Sequence, residues 1–128
     1  MARELKFYKC NLCGQVVELL VEGPGTLVCC DQEMELLKAN SSDGAGEKHV
    51  PVVEVEGNKV TVKVGSVAHP MTEKHLITFI VLLTEKGVQR VDLAHTDEPE
   101  AVFTIAEDDK VIAAYEYCNL HGLWVAEV

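Results

Sequence analysis

Positive charge is scarce in this sequence: 11 lysines and arginines face 21 aspartates and glutamates, a formal net charge of −10 over 128 residues. That balance argues against a nucleic-acid backbone or an anionic membrane surface as partner, since both would be repelled. Long apolar runs are also missing. The longest, Leu76 to Leu83, is interrupted by Thr78 and far too short to span a bilayer. The start, Met-Ala-Arg-Glu-Leu-Lys-Phe-Tyr-Lys-Cys, has no apolar signal region, so a cytoplasmic protein is expected. Aromatic residues make up only 5%, whereas there are 19 valines. β-Branched side chains fit a pleated, half-buried surface, so strands are favoured. No repeat, heptad or long 3.6-residue stripe can be drawn, which weakens any helical reading.

The remaining composition, 48% hydrophobic and 25% charged, is that of a globular chain. At this length it can build one modest core, or a small core plus a stapled mini-domain. Residues 1–37 read as short strands joined by turns: Leu5–Lys9, Gln15–Val21 and Thr26–Cys29, with Gly23-Pro24-Gly25 between the last two. A piece this small needs a metal, disulfides or a partner to hold it. Lys38 to Glu47 has linker composition, which places a boundary near residue 38. Residues 38–128 read as all-β. Val53 and Val55, then Val60, Val62 and Val64, alternate with polar residues around Gly57-Asn58, a hairpin signal. Further strands are predicted at Leu76–Thr84, Val88–Leu93, Ala101–Ala106, Val111–Cys118 and Leu123–Glu127. Short strands in this number suggest an antiparallel sandwich of immunoglobulin-like character.

Five cysteines are an odd count in a chain with no export signal, which argues against a disulfide framework. Cys10-Asn-Leu-Cys13-Gly has the form of a metal knuckle, and Cys29-Cys30 follows it. Four thiolates suit Zn²⁺ or a single iron, since both accept tetrahedral sulfur. A zinc ribbon that merely holds the mini-domain together is one reading. The adjacent pair departs from ribbon spacing and should distort the tetrahedron.

The histidines lie outside that segment. His49 and His69 each lie at or next to a proline-constrained loop, and His75 immediately precedes an apolar strand. Cys118 ends a predicted strand, and Cys-x-x-His lets a turn bring His121 back beside it. Imidazoles with one thiolate suit iron, copper or zinc. A blue-copper site usually has an axial methionine after its other ligands, and none follows Met71. Four neutral imidazoles and one thiolate around Fe²⁺ leave a charge of +1 and one open position. Such a site suits a small anionic reactant.

Cys10-x-x-Cys13 with Cys29-Cys30 resembles the desulforedoxin module. Glu47-Lys48-His49-x-Pro51, His69-Pro70, His75 and Cys118-Asn-x-His121-Gly-Leu-Trp124 resemble the neelaredoxin domain. In this order they resemble desulfoferrodoxin, the family of two-iron superoxide reductases, over nearly the whole chain. The resemblance implies a desulforedoxin-like domain at 1–37 with an FeCys4 centre at Cys10, Cys13, Cys29 and Cys30. It implies an immunoglobulin-like catalytic domain at 38–128. There a second iron would take His49, His69, His75 and His121 in its plane and Cys118 on its axis. It further implies reduction of superoxide to hydrogen peroxide with electrons from rubredoxin or a similar donor, in a cytoplasmic homodimer. Lys48 would attract the anion and Glu47 would occupy the sixth position of the ferric state. His95 falls outside the pattern and reads as an ordinary surface histidine. Two rival readings stand beside this one: a non-catalytic iron electron carrier, and a zinc-stapled β-sandwich binding module.

Overall fold

The computed structural model describes residues 4–43 and 48–128. Among these residues every regular element is a strand, and no helix is long and apolar enough to cross a membrane. The chain forms two compact units, Met1–Lys38 and Ala39–Val128.

The first unit has five very short strands. β1 (Phe7–Lys9) lies between β2 (Val16–Glu18) and β5 (Glu35–Leu36), antiparallel to both. β3 (Val28–Cys29) and β4 (Gln32–Glu33) form a separate hairpin. The strands observed here are shorter than the sequence pattern predicts, because few apolar residues are available to bury. Phe7 and Cys10 are its only buried hydrophobic residues among those described.

The second unit packs two antiparallel sheets. One has the order β10 (Glu100–Thr104), β7 (Lys59–Val64), β6 (Pro51–Glu56). The other runs β12 (Gly122–Glu127), β11 (Val111–Cys118), β8 (Ile77–Thr84), β9 (Val88–Asp92). β6 and β7 are joined through Gly57-Asn58, with Gly57 at φ +60°, as a tight two-residue hairpin requires. The alternation in β7 sends Val60, Val62 and Val64 inward, where they meet Ile80 and Leu82 of β8, Phe103 of β10 and Ala114 of β11. Cys118 belongs to that same cluster.

Two local features position the site. Tyr117 pairs with Phe79 but Cys118 pairs with Ile77, so Thr78 is an extra residue on β8 and the ladder shifts beside Cys118. The segment with linker composition is partly paired. Asn40 bridges to Trp124, its N–H donating to the Leu123 carbonyl at 2.9 Å and its own carbonyl accepting from Val125 at 2.9 Å.

Candidate metal centres

The first unit gathers Cys10, Cys13, Cys29 and Cys30, with all four sulfurs within 4.8 Å of one another. The Cys10 carbonyl accepts from Gly14 N–H at 2.9 Å, and Gly14 takes φ +82°, closing the knuckle. The adjacent cysteines are accommodated by a turn that the spacing did not reveal. Cys30 (φ 52°) and Asp31 (φ 60°) are the two loop residues of the β3–β4 hairpin, and both are left-handed. Such a conformation is unfavourable for residues with a Cβ, and here it turns Cys30 back toward Cys29, with the sulfurs 3.8 Å apart. Cys13 Sγ stands 3.6 Å from Cys29 Sγ.

Cys10, Cys29 and Cys30 compete for the charged form. Backbone N–H groups of Cys13 and Leu12 favour the Cys10 thiolate and bring its pKa down to about 6. Contact with Cys29, then with Cys10 and Cys13, pushes Cys30 up to about 12. With Cys10 as the thiolate, Cys29 and Cys30 resist ionising unless a cation arrives. The sulfur donor set therefore fits a soft or borderline metal ion such as iron or zinc.

In the second unit His49, His69, His75, Cys118 and His121 bring one donor atom each to within 4.8 Å of the others. The imidazoles form a closed ring. Neighbouring centroids are 4.7 Å apart for His49–His69, 4.7 Å for His69–His75, 5.1 Å for His75–His121 and 4.9 Å for His121–His49. His69 Nε2 and His49 Nε2 are 3.0 Å apart, and Cys118 Sγ is 3.7 Å from His69 Nε2 and 3.8 Å from His121 Nδ1. His49, His69 and Cys118 are buried, whereas His121 is exposed, so the cluster opens on one edge. Nitrogen and thiolate donors in this number fit iron.

The supports of these side chains come from distant parts of the chain. His69 Nδ1 lies 2.7 Å from the Pro70 carbonyl; donating there leaves the Nε2 lone pair for a metal. Trp124 stacks on His49, with centroids 4.7 Å apart and planes 14° from parallel, and its Nε1–H donates to the His121 carbonyl at 3.1 Å. Asn119 Oδ1 accepts from Leu76 N–H at 3.0 Å and its Nδ2 donates to the Lys74 carbonyl at 2.9 Å, clasping the segment around His75. Asp43 Oδ1 accepts from the N–H groups of His49 at 2.6 Å and Val50 at 3.1 Å. The sequence reading singled out neither Asp43 nor Asn119 as a support. Asp43 was hidden in linker composition, and the partners of Asn119 lie more than forty residues away.

Lys48 directly precedes His49 and is half-buried, while Glu47 lies outside the described residues. His95 is outside the cluster, 3.6 Å from Glu73 at the surface. Glu116, two residues before Cys118 on the same strand, is fully buried, and neither carboxyl oxygen has a hydrogen-bond partner. Burial, helped by the charge of Asp43, pushes its carboxyl up to about 9, so it is neutral at pH 7.

Comparison with known proteins covers both units. The family described as "Desulfoferrodoxin, N-terminal domain" matches residues 2–37, and that described as "Desulfoferrodoxin" matches residues 41–127. A desulfoferrodoxin of Nitratidesulfovibrio vulgaris is 52% identical over 127 residues, covering 99% of each chain. A superoxide reductase of Thermococcus kodakarensis is 44% identical over 105 residues, covering 69% of this chain and 91% of its own. The crystal structure of the superoxide reductase from Treponema pallidum superposes with a TM-score of 0.85 at 39% identity, covering 98% of this chain and 99% of that one.

Proposed function

The chain belongs to the desulfoferrodoxin family, and we infer from this that it is a superoxide reductase with two iron centres. The observation that carries the reading is the ring of four imidazoles closed by Cys118. Iron held there would supply the one electron that, with two protons, converts superoxide to hydrogen peroxide. Cys10, Cys13, Cys29 and Cys30 would hold the first iron, and His49, His69, His75, His121 and Cys118 the second.

The residues around that ring divide the work. Buried His49, His69 and Cys118 keep one side of the site dry, while exposed His121 leaves an edge through which an anion and protons from water can pass. The Cys118 thiolate would hold the iron together with the four imidazoles and donate electron density to it. Lys48 attracts superoxide; its local field must outweigh the −10 of the whole chain within a Debye length of about 10 Å at 0.1 M salt. Glu47, as the family resemblance implies, would supply a further oxygen ligand to oxidised iron.

Residues 1–37 would serve as the desulforedoxin-like domain and 38–128 as the catalytic one, a division supported by the two compact units. Exposed Cys13 and Cys30 suit the first centre to taking electrons from a rubredoxin-like donor. Leu20 and Val21, 82% and 84% exposed, favour a homodimer that would cover them. Five cysteines with no disulfide between them favour a reducing compartment, the cytoplasm, where the activity would serve detoxification.

Pulse radiolysis of the anaerobic, reduced, iron-loaded protein tests the activity. One hydrogen peroxide should form per superoxide consumed, with oxidation of the second centre. Release of dioxygen, or no reaction, would sink the reading.

A further inference from the structure

Gly65 follows directly on β7, at the start of the loop that carries His69. A Cβ built on it would stand 2.6 Å from the carbonyl oxygen of Lys48, 2.8 Å from its carbonyl carbon and 2.9 Å from its Cβ. No other described glycine has any such neighbour within 4 Å. The obstruction is backbone, which cannot rotate away as a side-chain tip can. The same short segment is tied from its other side by Asp43, whose Oδ1 accepts from both His49 and Val50 N–H. The residue before Gly65 is tied to the neighbouring ligand, since the Val64 carbonyl accepts from His69 N–H at 2.9 Å.

We propose that Gly65 and Asp43 form a two-sided clamp that positions the Lys48–His49 segment against the start of the His69 loop. The clamp thereby sets the spacing of His49 and His69. Gly65 permits the close approach and Asp43 holds it there. Both are positioning residues, and neither touches the reacting atoms. The inference rests on the reading of His49 and His69 as ligands of the second iron. A Cβ at position 65 must move the Lys48 backbone by several tenths of an ångström, and His49 is the next residue along. Metal sites respond to displacements of that size, and loss of an outer support typically costs about 10- to 100-fold in metal affinity or activity.

The test uses the full, iron-loaded chain. Gly65→Ala and Asp43→Ala should each lower iron retention at the second centre, in competition with a chelator, by about tenfold. Each should also shift that centre's visible sulfur-to-iron band and leave the FeCys4 spectrum unchanged. Gly87→Ala, where a Cβ meets open space, should change neither quantity. A purely structural role would lower the unfolding temperature without moving the band. If either clamp variant retains iron with a wild-type band, the clamp is refuted. Should Gly65→Ala not accumulate as folded protein, Asp43→Ala decides alone by the same two readouts. His49→Ala, run in parallel, separates the two levels. If it keeps the iron and the band, the ligand assignment itself fails; if it loses both while the clamp variants do not, only the clamp fails.

Discussion

The two units solve opposite problems. In Met1–Lys38 the strands are two or three residues long, and Phe7 and Cys10 are the only buried hydrophobic residues described. One of those two is itself a candidate metal ligand, so the site serves as the core. In Ala39–Val128 the valines of β7, Ile77, Ile80, Leu82 and Phe103 bury a core first, and the site is built where that core meets the strand ends. Cys118 belongs to both. A metal site can thus be a fold's foundation or its product, and the two should fail differently when a ligand is removed.

The largest expected effect is at the product. Cys118→Ser should abolish the visible band of the second centre and reduce the superoxide reaction at least about 100-fold, while the protein stays folded. Circular dichroism and pulse radiolysis on one sample would show it. Loss of fold together with activity would break the comparison. At the foundation, Cys13→Ser should do the reverse. Amide exchange within residues 4–38 should become fast, because metal binding there is folding energy. The superoxide rate of the second unit should stay near wild type; a large loss would mean that the two centres share the chemistry.

Lys48→Ala sharpens the account of the open edge. The second-order reaction should slow by about tenfold and lose most of its dependence on ionic strength. The ferrous spectrum should barely move. A wild-type rate and salt slope would remove the steering role. Glu47→Ala should instead leave encounter alone and alter the ferric spectrum.

The smallest effect belongs to the buried carboxyl that only the second unit's core can enclose. Burial and then Asp43 raise Glu116 to about 9 from an ordinary value near 4.5. Between those pH values the unfolded chain releases a proton that the folded chain keeps. Stability is therefore complete below about 4.5 and falls as pH rises toward 9. Glu116→Gln removes this penalty. Its unfolding midpoint should lie above wild type at pH 8 and match it at pH 4. Equal midpoints at both pH values would show that Glu116 ionises normally.

Much of the second unit was legible in sequence. β11 spans Val111–Cys118 as its apolar run suggested, and β7 keeps the alternation of Val60, Val62 and Val64. Periodicity is local, and a two-sheet core repeats it faithfully. The short strands of the first unit were overextended because turns, rather than burial, determine their length. The linker composition of residues 38–47 concealed the pairing of Asn40 with β12, since composition carries no information about a partner eighty residues away.

By itself the sequence determined which side chains carry the chemistry and that strands would present them. Residue type, the two-residue gaps of Cys10–Cys13 and Cys118–His121, and local valine alternation suffice for that. Only the tertiary structure decided how the donors converge. The left-handed turn at Cys30-Asp31, the extra residue at Thr78, the Asn119 clasp on Lys74 and Leu76, and the bare α-carbon of Gly65 against Lys48 are such decisions. Except for the turn, each depends on contacts between residues far apart in the chain. Spacing along a sequence records which groups are present, whereas a metal ion responds to distances in space.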